Sequence, residues 1–376
     1  MKNVRKLLAV LLAGCMVFGL VACSSEGNNS GDEKEPVATK AAEATQKAEP
    51  TDKAEPTKNA GDFTIGYSYP TKNNEFWGNS LTYVEQAASE VGFKVTSDDC
   101  NNDQAEQIRD VESMISSGID ALVLGPQDAS VCAGIVASCK DAGIPIVIID
   151  RWPGDDLKAG EDYECFIGPD DEVAGYNIAM SLINGGAKKI VGIGGFQGTS
   201  VAEGRKAGLD KALKENPDVE LLQFEYAGEN WDDGDKAFRN IYQSHPEVDG
   251  VWCYNDSLAL ATVNVLKEEG KIADVKVGGM DLLNPAVESM QAGELWMSTG
   301  GHYLQAAFGA IVAFDSANGV DYDGEDVVRL KLLEVSQDNL DEFKTKFLSG
   351  SSPIDWKNAS KVMNPDAKYD FTISLK

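Results

Sequence analysis

The stretch GIPIVIIDR, residues 143–151, decides the fold. Five of its residues, Ile144, Ile146, Val147, Ile148 and Ile149, are β-branched and apolar without alternation, the pattern of a strand covered on both faces of a parallel sheet. The run stops at a carboxylate beside a guanidinium. In open α/β sheets ligands lie beyond the carboxyl ends of the strands, so Asp150 and Arg151 stand where a polar ligand is met. The plainer alternative is a surface ion pair or a loop cap.

Upstream of this strand the chain alternates in the same way. Strands are expected over 63–69, 93–96 and 121–124, and helices over 76–91, from Asp103 to 117, and over 129–142. Asp103 with Glu106 three residues on has the spacing of a capping box. The unit βαβαβαβ requires parallel pairing with right-handed crossovers. Downstream, after an irregular acidic stretch over 154–163, a second set follows. Its strands are expected over 165–168, 189–194, 219–226, 250–254, 275–280 and 295–299, with helices between them. A helix over 303–318, a strand over 327–335, a helix near 340–348 and a strand near 371–375 complete the chain. Two similar α/β halves result.

At 376 residues, 43% hydrophobic and 25% charged, the chain is long enough for about two domains. Residues 1–22 belong to neither. Lys2, Arg5 and Lys6 precede an apolar run over 7–20, and LVAC ends at Cys23, the pattern of a lipoprotein signal with its lipobox. An apolar run of about 14 residues falls short of the roughly 20 needed to span a bilayer. The pattern implies cleavage before Cys23 and a diacylglyceryl group on its sulfur, so the mature protein is anchored at the extracytoplasmic face of the cell membrane. Residues 24–61 are Ser-, Ala-, Lys-, Glu- and Thr-rich, too polar to fold, and as a coil span roughly 30 to 40 Å.

Loss of the signal shifts the net charge from −28 to −31, which argues against nucleic acid as a partner. Of seven cysteines, Cys15 leaves with the signal and Cys23 takes lipid. Cys100, Cys132, Cys139, Cys165 and Cys253 have no metal-type spacing and read as small buried apolar residues.

The residues beyond each strand supply the functional candidates. They are Asn73, Asn74, Phe76 and Trp77 after the first, and Asp150, Arg151 and Trp152 after the fourth. In the second half they are Arg205, Trp231, Asn255, Asp256 and Asp281. Phe76 reads equally as a core staple, and Asp256 equally as a helix N-cap. Carboxylate acceptors, guanidinium and amide donors, and aromatic faces together suit carbohydrate binding. Catalysis fits poorly, and no cofactor is implied. There is no GxSxG elbow and no phosphate-binding GxxxxGK[ST] loop, and His245 and His302 are the only histidines, too few for a His-based metal site. Asp150 with Asp281 imitates a glycosidase pair, but Arg151 and Arg205 are expected to hold both ionised.

Six segments in order now carry a resemblance: NNEFW (73–77), IPIVIIDR ending at Arg151, GTSVAEGRKAG around Arg205, ENWD at Trp231, WCYNDSLALA at Asn255, and VGGMD at Asp281. Over residues 62 to about 333 the chain resembles the periplasmic-binding-protein type I fold, specifically the ribose/galactose-type sugar-binding proteins of ABC importers. The resemblance implies two Rossmann-like lobes joined by a hinge that the chain crosses three times, with the helix over 303–318 returning to the first lobe. The first lobe is expected from 62–168 plus 302–331 and the second from 169–300 plus 332–376, the last 40 residues being an extension. It implies that Asn74, Phe76, Trp77, Asp150 and Arg151 line a cleft from the first lobe, facing Arg205, Trp231, Asn255 and Asp281 from the second. Where ribose binders carry a small hydroxyl residue this chain has Pro70. Where they carry a hinge glutamine it has Gly301 followed by His302, and His302 is expected to take over that hydrogen bonding. Trp77 and Trp231 replace smaller aromatics, pointing to a different or larger pocket.

The expected function is therefore a monomeric, non-enzymatic, lipid-anchored binder that closes on a small sugar and hands it to a membrane permease. The alternative is a sensor that presents its closed form to a chemoreceptor or histidine kinase.

Overall fold

The computed structural model describes residues 60–376. The expected signal over 1–22, the lipid-bearing Cys23 and nearly all of the tether lie outside the described residues. One six-stranded sheet is built from β1 (Thr64–Tyr69), β2 (Lys94–Asp99), β3 (Ala121–Leu124), β4 (Ile146–Ile149), β5 (Phe166–Pro169) and, from far along the chain, β11 (Val327–Leu330). Its order is β11-β5-β4-β3-β1-β2 and every pairing is parallel. The other sheet holds β6 (Lys189–Gly194), β7 (Glu220–Tyr226), β8 (Gly250–Cys253), β9 (Lys276–Asp281), β10 (Met297–Gly300) and β12 (Leu333–Ser336). Its order, β12-β10-β9-β8-β6-β7, repeats the first, with β12 alone antiparallel.

Helices alternate with these strands: α1 (Glu75–Val91), α2 (Gln104–Ser116) and α3 (Ala129–Ala142) in the first lobe, then α4 (Asp171–Asn184), α5 (Ser200–Glu215), α6 (Trp231–Ser244), α7 (Asp256–Glu268) and α8 (Asn284–Gln291) in the second. Their starts follow local capping chemistry. The side chains of Asn74, Asp103 and Asn255 each accept a backbone N–H of the first turn. All four residues of β4 are buried, as its unbroken apolar run requires. After β10, α9 (Gln305–Ala317) returns to the first lobe and packs on α1, β3 and β4; eleven of its residues are buried, so it is a core helix and not an amphipathic one.

The chain passes between the lobes at 169–171, at 300–302 and at Lys331–Leu332. At the last of these the single strand expected over 327–335 is two strands, one in each sheet. Two residues of crossing interrupt the hydrogen bonding without interrupting the apolar pattern.

The last forty residues depart from expectation. α10 (Leu340–Phe347) packs on α8 and β12 of the second lobe. From Phe347 to Phe371 the chain lies on the first lobe, where residues 332–376 were expected to stay with the second; Ile373 then returns to the crossing at Gly301 and the Lys376 carbonyl accepts from Lys346 of α10. Tyr83 Oη donates to the Phe347 carbonyl at 3.5 Å, and Trp356, at the start of α11 (Trp356–Ala359), is fully buried with its ring 5.6 Å from that of Phe308. The physical reason lies in α9. Its Asp315 is fully buried and needs donors, and the tail supplies Ser360 Oγ (2.6 Å), Lys361 N (2.7 Å), Val362 N (3.2 Å) and Tyr369 Oη (3.1 Å). No strand forms over 371–375; Phe371 packs at a tilt against Phe308 and stacks on Tyr369 instead. Cys100, Cys132, Cys139, Cys165 and Cys253 are all buried and unbridged.

Candidate binding cleft

β4 and β9 occupy the same place in the two sheet orders, and each ends at a carboxylate. Asp150 has φ 67° and Asp281 φ 125°, left-handed conformations that non-glycine residues adopt only when their surroundings enforce them. Both are turned into the space between the lobes. Asp150 accepts from Gln305 Nε2 at 2.8 Å. The turn after Asp281 is held from behind by Asp256, whose carboxylate accepts from Leu283 N (3.0 Å) and Ser298 Oγ (2.7 Å). Asp256 is thus neither the helix N-cap nor a cleft residue; Asn255 is the cap, and Asp256 is a fully buried buttress.

Each lobe also supplies one buried arginine. The Arg151 guanidinium donates through Nη1 to the Gln127 carbonyl at 2.6 Å and through Nη2 to Glu229 Oε2 at 3.5 Å. Glu229 lies in the second lobe, so this pair bridges the cleft, as does Asn284 N donating to Glu75 Oε1 at 3.2 Å. Arg205 donates to Asp171 Oδ1 (2.9 Å) and to the Tyr254 carbonyl (3.0 Å), with its guanidinium 4.3 Å from the centre of the Tyr254 ring. Its position depends on glycine: a Cβ on Gly175 of α4 would overlap the Arg205 carbonyl.

Aromatic rings close one side. Trp77 lies edge-on to Phe76 with centroids 5.0 Å apart, and a Cβ on Gly125 would come within 3.0 Å of its ring. Phe76 in turn meets the His302 imidazole at 4.6 Å. His302 is 1% exposed, its Nε2 lies 3.7 Å from Asp281 Oδ1, and among the described residues its Nδ1 has no hydrogen-bond partner. Burial, with Arg205 nearby, holds its pKa well below the ordinary range, so the ring is neutral.

Nine of the ten expected residues, Asn74, Phe76, Trp77, Asp150, Arg151, Arg205, Asn255, Asp281 and His302, border one cavity of about 30 Å³, room for a few waters rather than a sugar ring. The lobes stand closed against one another. Trp231 does not border it. It is the first residue of α6, 43% exposed, because the Asn230 cap that accepts from Asp233 N turns the chain outward there. Glu229, two residues earlier, takes the inward place, braced by the Tyr254 hydroxyl donating to Oε1 at 3.1 Å. Glu229 and Tyr254 stand in the same AGENWDD and YND loops that offered Trp231 and Asn255. An acidic residue before the helix cap was the available signal. Beside Asp150 a second hollow of about 330 Å³ opens, bordered by Trp152, Asp170, Asp171, Glu172 and Arg329.

The two arginines were expected to hold Asp150 and Asp281 ionised rather than let either pKa rise, and burial works against them at both. Burial raises Asp150 in spite of Arg151, and raises Asp281 well above its usual value in spite of Arg205. Burial likewise pushes Asp171 up to about 7, although Arg205 beside it pulls the other way.

Residues 65–319 match a family model described as the periplasmic binding protein domain. The chain is 30% identical over 236 residues to the ribose import binding protein of Bacillus subtilis (strain 168), covering 62% of this chain and 74% of that one. It is 28% identical over 269 residues to the xylitol-binding protein of Mycolicibacterium smegmatis, covering 69% and 75%. Among solved structures, an ABC transporter solute binding protein from Bacillus halodurans C-125 with bound myo-inositol is similar with a TM-score of 0.69 at 27% identity, covering 77% of this chain and all of that one.

Proposed function

The chain belongs to the periplasmic binding protein domain family, the solute-binding proteins of ABC importers, and on that premise we propose that it captures a small sugar or cyclic polyol between its lobes and delivers it to a membrane permease. The observation that carries this reading is the pair of strained carboxylates at equivalent strand ends, each with a buried arginine from its own lobe, converging on one closed cavity. Ring hydroxyls donate to Asp150, Asp281 and Glu229 and accept from Arg151, Arg205 and Asn255. Phe76 and Trp77 cover an apolar ring face, and His302 offers a neutral imidazole.

Capture requires the lobes to part about the three crossings and to close again on the ligand, since only the closed form contacts it from both sides. The ligands in the names of the ribose and myo-inositol relatives are polyhydroxylated rings, the class this inventory suits. Cys23 carries the lipid, residues 23–61 act as the tether, and the protein works as a monomer at the extracytoplasmic face of the membrane.

A thermal-shift screen of monosaccharides and cyclic polyols tests the reading. A ligand at 100 times its Kd stabilises by about 2.7 kcal/mol, which moves the midpoint by several degrees. The absence of any shift across the panel sinks the sugar assignment.

A further inference from the structure

The cleft holds more carboxyl groups than its arginines can balance as anions, and burial keeps part of them protonated while no cation is present. Asp150, Glu229 and Asp281 border the cavity, and Asp171 lies directly behind Arg205; against these four carboxyl groups stand Arg151 and Arg205, with Arg329 the next cation out. The next layer does not correct the excess. Asp256 sits behind Asp281 and Asp128 near Arg151, while Arg329 near Asp171 lies over the Trp152 and Phe166 rings. His302 adds no charge.

Both arginines are already committed, Arg205 to Asp171 and the Tyr254 carbonyl, Arg151 to Gln127 and Glu229. Asp281 is left over. It is 5% exposed and borders the cavity, and among the described residues its carboxylate accepts no hydrogen bond; the nearest basic side chain to it is the neutral His302, at 3.7 Å. The adjoining hollow, with Asp170, Asp171 and Glu172 on its wall, extends the acidic field outward and attracts cations toward the mouth.

We propose that the ligand carries a cationic amino group beside its hydroxyls, an amino sugar, and that the ammonium is received between Asp281 and Glu229. The proposal rests on the sugar-binding reading of the cleft and narrows it. A neutral ring supplies donors to these oxygens but leaves the excess charge buried, so that closure forces a carboxyl to take up a proton. An ammonium supplies three donors and compensates the charge in one group.

The test is calorimetric titration of the purified protein at pH 7 with matched pairs: D-glucose and D-glucosamine, D-galactose and D-galactosamine, D-mannose and D-mannosamine. The expected result is that in at least one pair the amine binds at least tenfold tighter. Asp281→Asn and Glu229→Gln each then weaken the amine more than its neutral partner. Thermal melting confirms that both variants fold; should one fail to, the matched pairs on the unaltered protein still decide. Neutral members binding as tightly as, or more tightly than, their amines overturns the charge proposal and leaves the sugar reading standing. Binding by neither member of any pair, nor by any neutral sugar, overturns both.

Discussion

Substituting Asp171→Asn separates the buried charge from the hydrogen bond it makes. The amide oxygen still accepts from Arg205 Nε, which now lies 2.9 Å from Asp171 Oδ1, but the position no longer titrates. In the folded protein this carboxyl has a pKa of about 7 against an ordinary 3.8, so the folded state binds its proton more tightly than the unfolded chain does. The resulting stabilisation is complete below about pH 4 and is lost as the pH rises through about 7. At about 1.4 kcal/mol per pH unit, the interval from pH 5 to pH 7 removes roughly 2 to 3 kcal/mol from the native protein and nothing from the variant. The side chain is 12% exposed, so solvent screening takes little from that figure. Urea unfolding of both proteins at pH 5, 6, 7 and 8 measures it. Subtracting one profile from the other cancels the titrating groups that Asp171 does not touch, Asp256 included, and leaves Asp171 together with its coupling to Asp150. The variant is expected to gain on the native protein by roughly 2 to 3 kcal/mol from pH 5 to pH 7, and the gain levels off above pH 8. Profiles parallel within about 0.5 kcal/mol refute the argument that burial outweighs Arg205 at this carboxyl.

Removing the unpartnered acceptor, Asp281→Ala, is expected to lower affinity for whichever ring ligand binds by at least about thirtyfold, the effect of truncating one partner of a buried charged hydrogen bond; titration calorimetry reads it, and unaltered affinity removes Asp281 from the site. His302→Ala is expected to cost roughly tenfold in affinity through a lost hydrogen bond, and no change means that the histidine only fills the hinge. Trp356→Ala, in the tail, should lower stability by about 3 to 5 kcal/mol because a fully buried ring is lost. Chemical denaturation checks this, and a loss below about 1 kcal/mol means that the tail does not hold the first lobe.

How far the sequence goes depends on whether the deciding contact is local. The strands and helices were legible because each apolar run is punctuated by its own cap or turn, as at Asn74, Asp103 and Asn255. The strand-end rule then located Asp150, Arg151 and Asp281 without any knowledge of how the lobes meet. Three features were not legible, each for a different reason. Periodicity alone merged two strands across Lys331–Leu332, because the crossing leaves the apolar pattern intact; the family resemblance, not the pattern, put the lobe boundary there. At the start of α6, residue type favoured Trp231, but the cap geometry of Asn230 directs the tryptophan out and leaves the inward place to Glu229. The tail follows Asp315, whose donor Ser360 Oγ stands 45 residues away, a separation at which periodicity carries no information. The raised carboxyls belong to the same class. The nearby arginines can be read from the sequence, but the burial that outweighs them exists only once the lobes have closed.

The two halves use one device twice. In the orders β2-β1-β3-β4-β5 and β7-β6-β8-β9-β10 the fourth place is taken by β4 and β9, which end at Asp150 and Asp281. Both residues stand in left-handed backbone, at a cost of order 1 to 3 kcal/mol each. Glycine would relieve that strain and remove the carboxylate, so the strain has a function only if the carboxylate must sit at the strand end facing the other lobe. The arginines do not repeat in this way. Arg151 follows its carboxylate directly, whereas Arg205 comes from α5, held by Asp171 and by close packing against Gly175. Symmetry therefore asks the ligand for donors toward both lobes. Asymmetry in the cations leaves Asp281 with only the more distant Arg205, which is bonded to Asp171 and the Tyr254 carbonyl, whereas Asp150 has Arg151 next to it in the chain. A ligand that discriminates between the two lobes does so at Asp281, and the charge it brings there is what the matched titrations measure.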